Sequence, residues 1–314
     1  MEGPAEPQKA VPQEGHVVTF TGTCDASGAV PLEGNRFALA DDEDNLIRIY
    51  ESEKGGAPLA VVALAGIENS GGEMDLEAAT RIGDDAIWLA SHSRSKSGKE
   101  KPKRLNMFVS TAPTVHTPLE LVASPQGTLL DDFIAEPALA EFTLAHAASL
   151  APKTPGALNI EGMTARPDGG VFIGFRNPVP DGKALIVGVA NPLEAAKGLA
   201  RAKVDAVHRL DLGEGRGVRG LSVWRGRYLL LGGTPADTAV TKLFTWDGVS
   251  EEATAVDVDL ADFNPEAFYT PEHQDLILVI SDDGLTMRDG LPCKKLKDPA
   301  SKQFRGIWVR VPSS

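Results

Sequence analysis

Short apolar runs alternate with turn residues along this chain, and five stretches share one pattern of polar and apolar positions. They are "DASGAVPLEGNRFALADDE" from Asp25, "DLEAATRIGDDAIWLASHS" from Asp75, "NIEGMTARPDGGVFIGFRN" from Asn159, "GVRGLSVWRGRYLLLGGTP" from Gly217 and "NPEAFYTPEHQDLILVISDDG" from Asn264. Each opens on a turn-prone residue, sets a polar residue third and follows it with Gly or Ala. A short strand, a turn and a strongly apolar strand come next. Recurrence at a period of about 40–50 residues is the mark of four-stranded propeller blades.

Two further strands follow each pair. They are "NLIRIYES" and "APLAVVALAG" after the first, "RLNMFVSTA" and "PLELVAS" after the second, "KALIVGVAN" and "AVHRLDL" after the third, and "TKLFTWD" and "ATAVDVDL" after the fourth. The fifth has only "FRGIWVRVP" before the chain stops, and "HVVTFTGT" near the start is expected to supply its outer strand. That pairing of the two ends closes the ring and leaves no free edge. The long interval between the second and third repeats holds "LLDDFIAEPALAEFTLAHAASLA", whose apolar spacing predicts a helical insertion between Leu129 and Ala151. The expectation is an all-β propeller of about five four-stranded blades over residues 16–314, after a disordered lead-in over 1–15. A six-bladed ring, with a degenerate blade in the long interval, is the alternative.

The innermost strand of a blade lines the channel, so the third positions gather at one mouth: Ser27, Glu77, Glu161, Arg219 and Glu266. The ends of the second strands reach the same face with Asp41, Asp42 and Glu43, with Ser91, His92 and Arg94, with Arg176 and Asn177, with Thr234, and with Asp282 and Asp283. Arg216 and Arg305 lie in segments able to reach it. Converging carboxylates resist ionisation unless something compensates them. A hard cation such as Ca2+, which takes six to eight oxygens, is one answer, with Ser27, Glu77, Glu161 and Glu266 as its ligands. A guanidinium at Arg219 is a second. A plug of ion pairs and water is a third, and the residues alone leave all three open.

Composition narrows the function classes. The 314 residues carry a formal charge of −13, which disfavours DNA, RNA and anionic membrane partners. No apolar run is long enough to span a bilayer. The start has neither the basic region nor the apolar core of a signal peptide, and the compartment stays open. Cys24 and Cys293 are the only cysteines, so a cysteine zinc site is excluded. Both fall in the last blade, where one bridge is geometrically allowed; two separate buried thiols are the expectation. "DDEDN" (Asp41–Asn45) is acidic without EF-hand spacing and reads as a solvated turn. "SHSRSKSGKEKPKR" (Ser91–Arg104) is a basic loop on the glutamate face, either simply solvated or set to cover an anionic ligand.

Several of these segments, with the ending "FRGIWV", resemble a bacterial family known only as a domain of unknown function, over most of the chain from Cys24 to Val309. That resemblance implies the propeller and no activity. The stretch Glu161–Gly169 is similar to segments of esterase-like phytases. The ring of Ser27, Glu77, Glu161 and Glu266 resembles the axial calcium site of five-bladed calcium-activated nucleotidases, and departs from it at Arg219. Two functions follow. One is metal-assisted hydrolysis of a phosphoester or other anionic small molecule, with Glu161 as base, His92 as acid or base, Arg176 on the reacting anion, and Arg94, Arg219, Asn177, Asp282 and Asp42 as ligand contacts. The other is a non-catalytic propeller that presents the mouth to a ligand or protein.

Overall fold

Within each blade, neighbouring strands pair antiparallel. The computed structural model describes residues 12–63, 72–112, 119–271 and 274–312. Strand β1 (Val17–Thr21) precedes the first blade, formed by β2 (Ala26–Leu32), β3 (Arg36–Asp41), β4 (Leu46–Glu51) and β5 (Ala60–Ala63). The second blade has β6 (Leu76–Ile82), β7 (Asp85–Ala90) and β8 (Met107–Thr111). The third has β9 (Asn159–Ala165), β10 (Val171–Asn177), β11 (Ala184–Val189) and β12 (Val204–Leu210). The fourth has β13 (Gly217–Trp224), β14 (Arg227–Gly233), β15 (Lys242–Trp246) and β16 (Thr254–Ala255). The fifth has β17 (Pro265–Tyr269) and β18 (Leu276–Ser281). After a small hairpin of β19 (Met287–Arg288) and β20 (Leu291–Pro292), it takes β21 (Gln303–Arg310) and then β1. The protein is a five-bladed propeller.

The ring closes as the two chain ends predict. β1 pairs antiparallel with β21, from Val17 opposite Ile307 to Thr21 opposite Gln303. The first eleven residues of the expected lead-in lie outside the described residues; beyond them, Gly15 N donates to Trp308 O at 2.8 Å, so contact with β21 begins before residue 16. In the second blade "PLELVAS" forms no strand among the described residues; its Leu121 makes a single bridge opposite Ser110, and Gln126, two residues beyond it, makes another opposite Met107. The helical insertion is present as α1 (Leu129–Ala135), a 3-10 turn (Pro137–Phe142) and α2 (Leu144–Ala147). Its apolar residues Leu130, Phe133, Phe142 and Leu144 pack with Met107 and Val109 of β8 and with Phe175 of β10, so the long interval is an insertion and not a sixth blade.

Apolar side chains bury between blades. One cluster joins the first and second blades through Ile49 and Trp88, and another joins the fifth and first through Phe20, Phe37, Tyr50 and Phe304. Each fully buried aromatic or aliphatic side chain contributes about 1.5–3 kcal/mol, so the blades are held mainly by their neighbours.

The cysteines correct the expectation of separate thiols. Cys24 and Cys293 form a disulfide with Cα atoms 5.9 Å apart. The bend after β20 brings Cys293 over the segment between β1 and β2, a proximity that no local pattern announces. "DDEDN" also differs from a solvated turn: Asp41 is buried, and its Oδ1 accepts the Glu43 and Asp44 amides at 2.8 and 3.1 Å.

Candidate functional site at the channel mouth

The third residue of every repeat sits at a β-bulge. Leu76 pairs with Ala90 and Ala78 with Leu89, so Glu77 has no residue opposite. Glu161, Arg219 and Glu266 are the extra residues of β9, β13 and β17 in the same way. In β2, Ser27 and Gly28 together span the place of Ala40. A bulge adds twist and re-aims the side chain it carries. Here it leaves Glu77, Glu161 and Glu266 lining one chamber of about 20 Å³. The small residue that follows has its own cause. A Cβ at Gly220 would lie 2.7 Å from Glu266 O, and one at Gly28 would lie 2.8 Å from the Ala78 carbonyl carbon.

One half of the mouth is a closed network of paired charges. Glu161 Oε1 accepts from Arg176 Nη1 and from Asn159 Nδ2, both at 2.7 Å, and Arg219 Nε stands 3.5 Å from Glu161 Oε2. Arg219 donates to Asn264 Oδ1 at 2.6 Å and to Asp237 Oδ1 at 3.2 Å, and pairs with Glu266. Arg176 also pairs with Asp237, which is held in turn by Lys153 at 2.8 Å. Burial alone would lower the Arg176 pKa, but Glu161 and Asp237 outweigh it and raise it. Arg219 is lowered, by burial first and then by Arg176.

The other half is acidic and lacks counter-charge. Oxygens of Asp42, Asp75 and Glu77 lie within 4.8 Å of one another, as do those of Asp25, Asp42 and Glu43. Asp42 Oδ1 is buried with no hydrogen-bond partner. The Glu77 carboxylate touches the narrow channel but is otherwise enclosed by protein. Burial, then the Glu161 and Asp75 charges, hold it well above the usual carboxylate range. Asp42 is raised likewise by burial and by Asp282 and Asp41. Asp25 is pushed up to about 8, chiefly by burial and then by Asp282. Compensation reaches only the edges: Arg104 Nη1 is 2.8 Å from Asp75, and Lys294 Nζ is 2.8 Å from Glu43 and 3.9 Å from Asp25.

The remaining sequence candidates divide. Asp282 joins the mouth, accepting from Asn264 Nδ2 at 3.1 Å and from the Gly284 amide at 2.7 Å. Ser27 donates to Leu76 O in the neighbouring blade and is fully buried. Asn177 Nδ2 donates to Pro152 O and Thr154 O, tying β10 to the end of the insertion. Arg94 donates to Ala148 O, Gly98 O and Glu100, which turns it toward the insertion and its own loop. His92 is buried with φ +56°, its Nδ1 bonded to Ala90 O at 2.8 Å and its Nε2 without a partner. Burial pushes its imidazole pKa down to about 4. Arg305 chelates Asp283 at 2.7 and 2.8 Å, and Arg216 bonds Glu214 and the Gly213 and Val240 carbonyls.

Sequence reading passed over the first position of each repeat, taken as a turn former. Asp25 and Asp75 supply carboxylates to the acidic half, while Asn159 and Asn264 orient Glu161 and Arg219. The recurrence of Asp or Asn two residues before four of the five bulges, with Gly217 at the fourth, was the available signal. Asp237, between the two arginines, carried none.

A five-bladed propeller whose channel mouth is built from the first and third positions of its repeats is thus the class of protein. Residues 99–266 match the family described as "Protein of unknown function (DUF3616)", and the chain belongs to that family. No curated protein matches the chain. Among solved structures, the chain is similar to Myxococcus xanthus glutaminyl cyclase at 9% identity and TM-score 0.50, covering 96% of this chain and 97% of that one. It is also similar to a GH43 β-1,3-galactosidase solved with galactodeoxynojirimycin, at 11% identity and TM-score 0.51, covering 92% and 91%. Likeness at such identities extends to the fold alone. Among the described residues no helix is long and apolar enough to cross a membrane.

Proposed function

We propose that the channel mouth binds a hard divalent cation, calcium by donor chemistry, on Asp42, Asp75 and Glu77, and that the cation draws in an anionic phosphoester or related small molecule for hydrolysis. The observation that carries this reading is the gathering of those three carboxylates with no ion pair on Asp42 or Glu77 among the described residues, beside two arginines paired with other carboxylates. All donors are hard oxygens, as calcium prefers. Of the four ligands first expected, Ser27 is engaged by a carbonyl and Glu161 and Glu266 by arginines, which leaves Glu77; Asp75 would join it as a ligand shared with Arg104. When bound, the cation would polarise a substrate oxygen or a water. The protein's own part is to hold Arg176 and Arg219 rigid beside the site and to keep His92 neutral.

One observation favours a non-catalytic ligand-binding mouth: both arginines are already paired with protein carboxylates, Arg176 with Glu161 and Asp237, and Arg219 with Glu266 and Asp237. A melting curve after chelation, with and without millimolar calcium, tests the cation. Calcium is expected to raise Tm by several degrees in the wild type and by none in Glu77→Gln. A wild type indifferent to calcium, magnesium and manganese would remove the cation, and with it the hydrolase reading. Release of p-nitrophenol from its phosphate esters by the calcium-loaded protein then separates catalyst from binder.

A further inference from the structure

The far end of the channel opens into a separate cavity of about 830 Å³, away from the charged mouth. It lies where the inner strands end, and all five blades contribute to it. The glutamate chamber stands between it and the mouth, and the two spaces share Ala29, Ala79, Leu221 and Ser222. The volume falls within the range of small-molecule sites.

Its polar groups are hydroxyls in a repeated register. Three residues beyond the bulge, the second, third and fourth blades carry Thr80, Thr164 and Ser222, and the fifth adds Thr270. Thr80 Oγ1 accepts the Ala165 amide at 2.8 Å, and Thr164 Oγ1 accepts the Val223 amide at 2.6 Å. Each hydroxyl is therefore fixed by the next blade and keeps its own hydrogen to donate. Ser222 and Thr270 share a hydrogen bond at 3.4 Å. Trp224 also lines the wall, and its indole N–H has no acceptor.

The arginines at the rim are paired, while Glu33 adds an exposed carboxylate there. Arg225 pairs with Asp275, and Arg81 donates to Gly83 O at 2.7 Å and lies 3.7 Å from Asp84. The floor between the hydroxyls is apolar, with Ala29, Ala79 and Leu221. An anion would find no unpaired arginine here, whereas hydroxyl groups around a compact apolar ring would find donors, acceptors and contact surface together.

We infer that this cavity binds an uncharged polyhydroxyl ligand of one or two sugar rings. The site is independent of the cation at the opposite mouth. Saturation-transfer NMR followed by calorimetry tests it with glucose, galactose, xylose, sucrose and myo-inositol, alongside the charged probes glucose 6-phosphate and gluconate. At least one uncharged probe is expected to bind one-to-one. Ser222→Phe, which fills the cavity, should weaken it at least about tenfold, and Glu77→Gln should leave it unchanged. If Ser222→Phe fails to fold, Thr270→Val takes its place with an expected weakening of about two- to tenfold. Three results would overturn the inference. They are no uncharged probe bound at about 10 mM, tighter binding of the charged probes, or unaltered affinity in the folded cavity variant.

Discussion

Glu161 and Glu77 occupy equivalent bulges in adjacent blades and meet opposite surroundings. Glu161 accepts from Arg176 and Asn159, whereas Glu77 makes no ion pair among the described residues and lies beside Asp42 and Asp75. Glu161→Gln should therefore destabilise the chelated protein by about 3–5 kcal/mol, because it strands buried guanidinium charge. Glu77→Gln should be neutral or stabilising in chelated protein, since it removes a carboxylate that burial disfavours. Urea melts of the two variants decide the point, and equal losses would show that the network is shared evenly around the ring. His92 offers a pH test. With its folded pKa depressed to about 4, it contributes stability that is present above the unfolded value of 6.5 and lost as pH falls through 4. Against His92→Asn, whose side chain tolerates the left-handed backbone, the wild type should lose about 3 kcal/mol more between pH 6.5 and 4. An NMR titration placing the imidazole near 6.5 would refute it. A proton donor at neutral pH is thus not what burial makes of this histidine.

At the scale of elements, the alternation of apolar strands and turns was legible because every blade must solve the same packing problem on both faces. The polar third position was legible for a narrower reason. Each bulge breaks strand alternation at the same register, so a charged residue recurs where an apolar one would otherwise stand. The helical insertion was visible from its apolar spacing, and it packs in the wedge between the second and third blades. The fourth strand of the second blade was not: "PLELVAS" has strand-like alternation, yet its Leu121 makes only an isolated bridge to β8. Propensity there yields to tertiary surroundings.

The whole molecule adds two closures that depend on distant parts of the chain. β1 completes the fifth blade, and the Cys24–Cys293 bridge joins residues 269 positions apart beside that seam. A link across so long a loop restricts the unfolded chain strongly, so its loss should cost about 2–5 kcal/mol. Thermal or urea melts of Cys24→Ser/Cys293→Ser, and of the wild type under reductant, are expected to show the same loss; an unchanged midpoint in both would mean that β1–β21 pairing alone holds the ring.

Periodicity in the sequence determined the propeller, the pairing of the chain ends and the mouth at which the third positions meet, because those follow from local alternation, whereas the choice between five blades and six waited on the packing of the insertion. Only the tertiary structure decided which carboxylates are neutralised, which stand uncompensated, that the cysteines meet, and that a hydroxyl-lined cavity lies at the far end. Each of these depends on distances between blades and on burial. A residue's neighbours in sequence do not specify either.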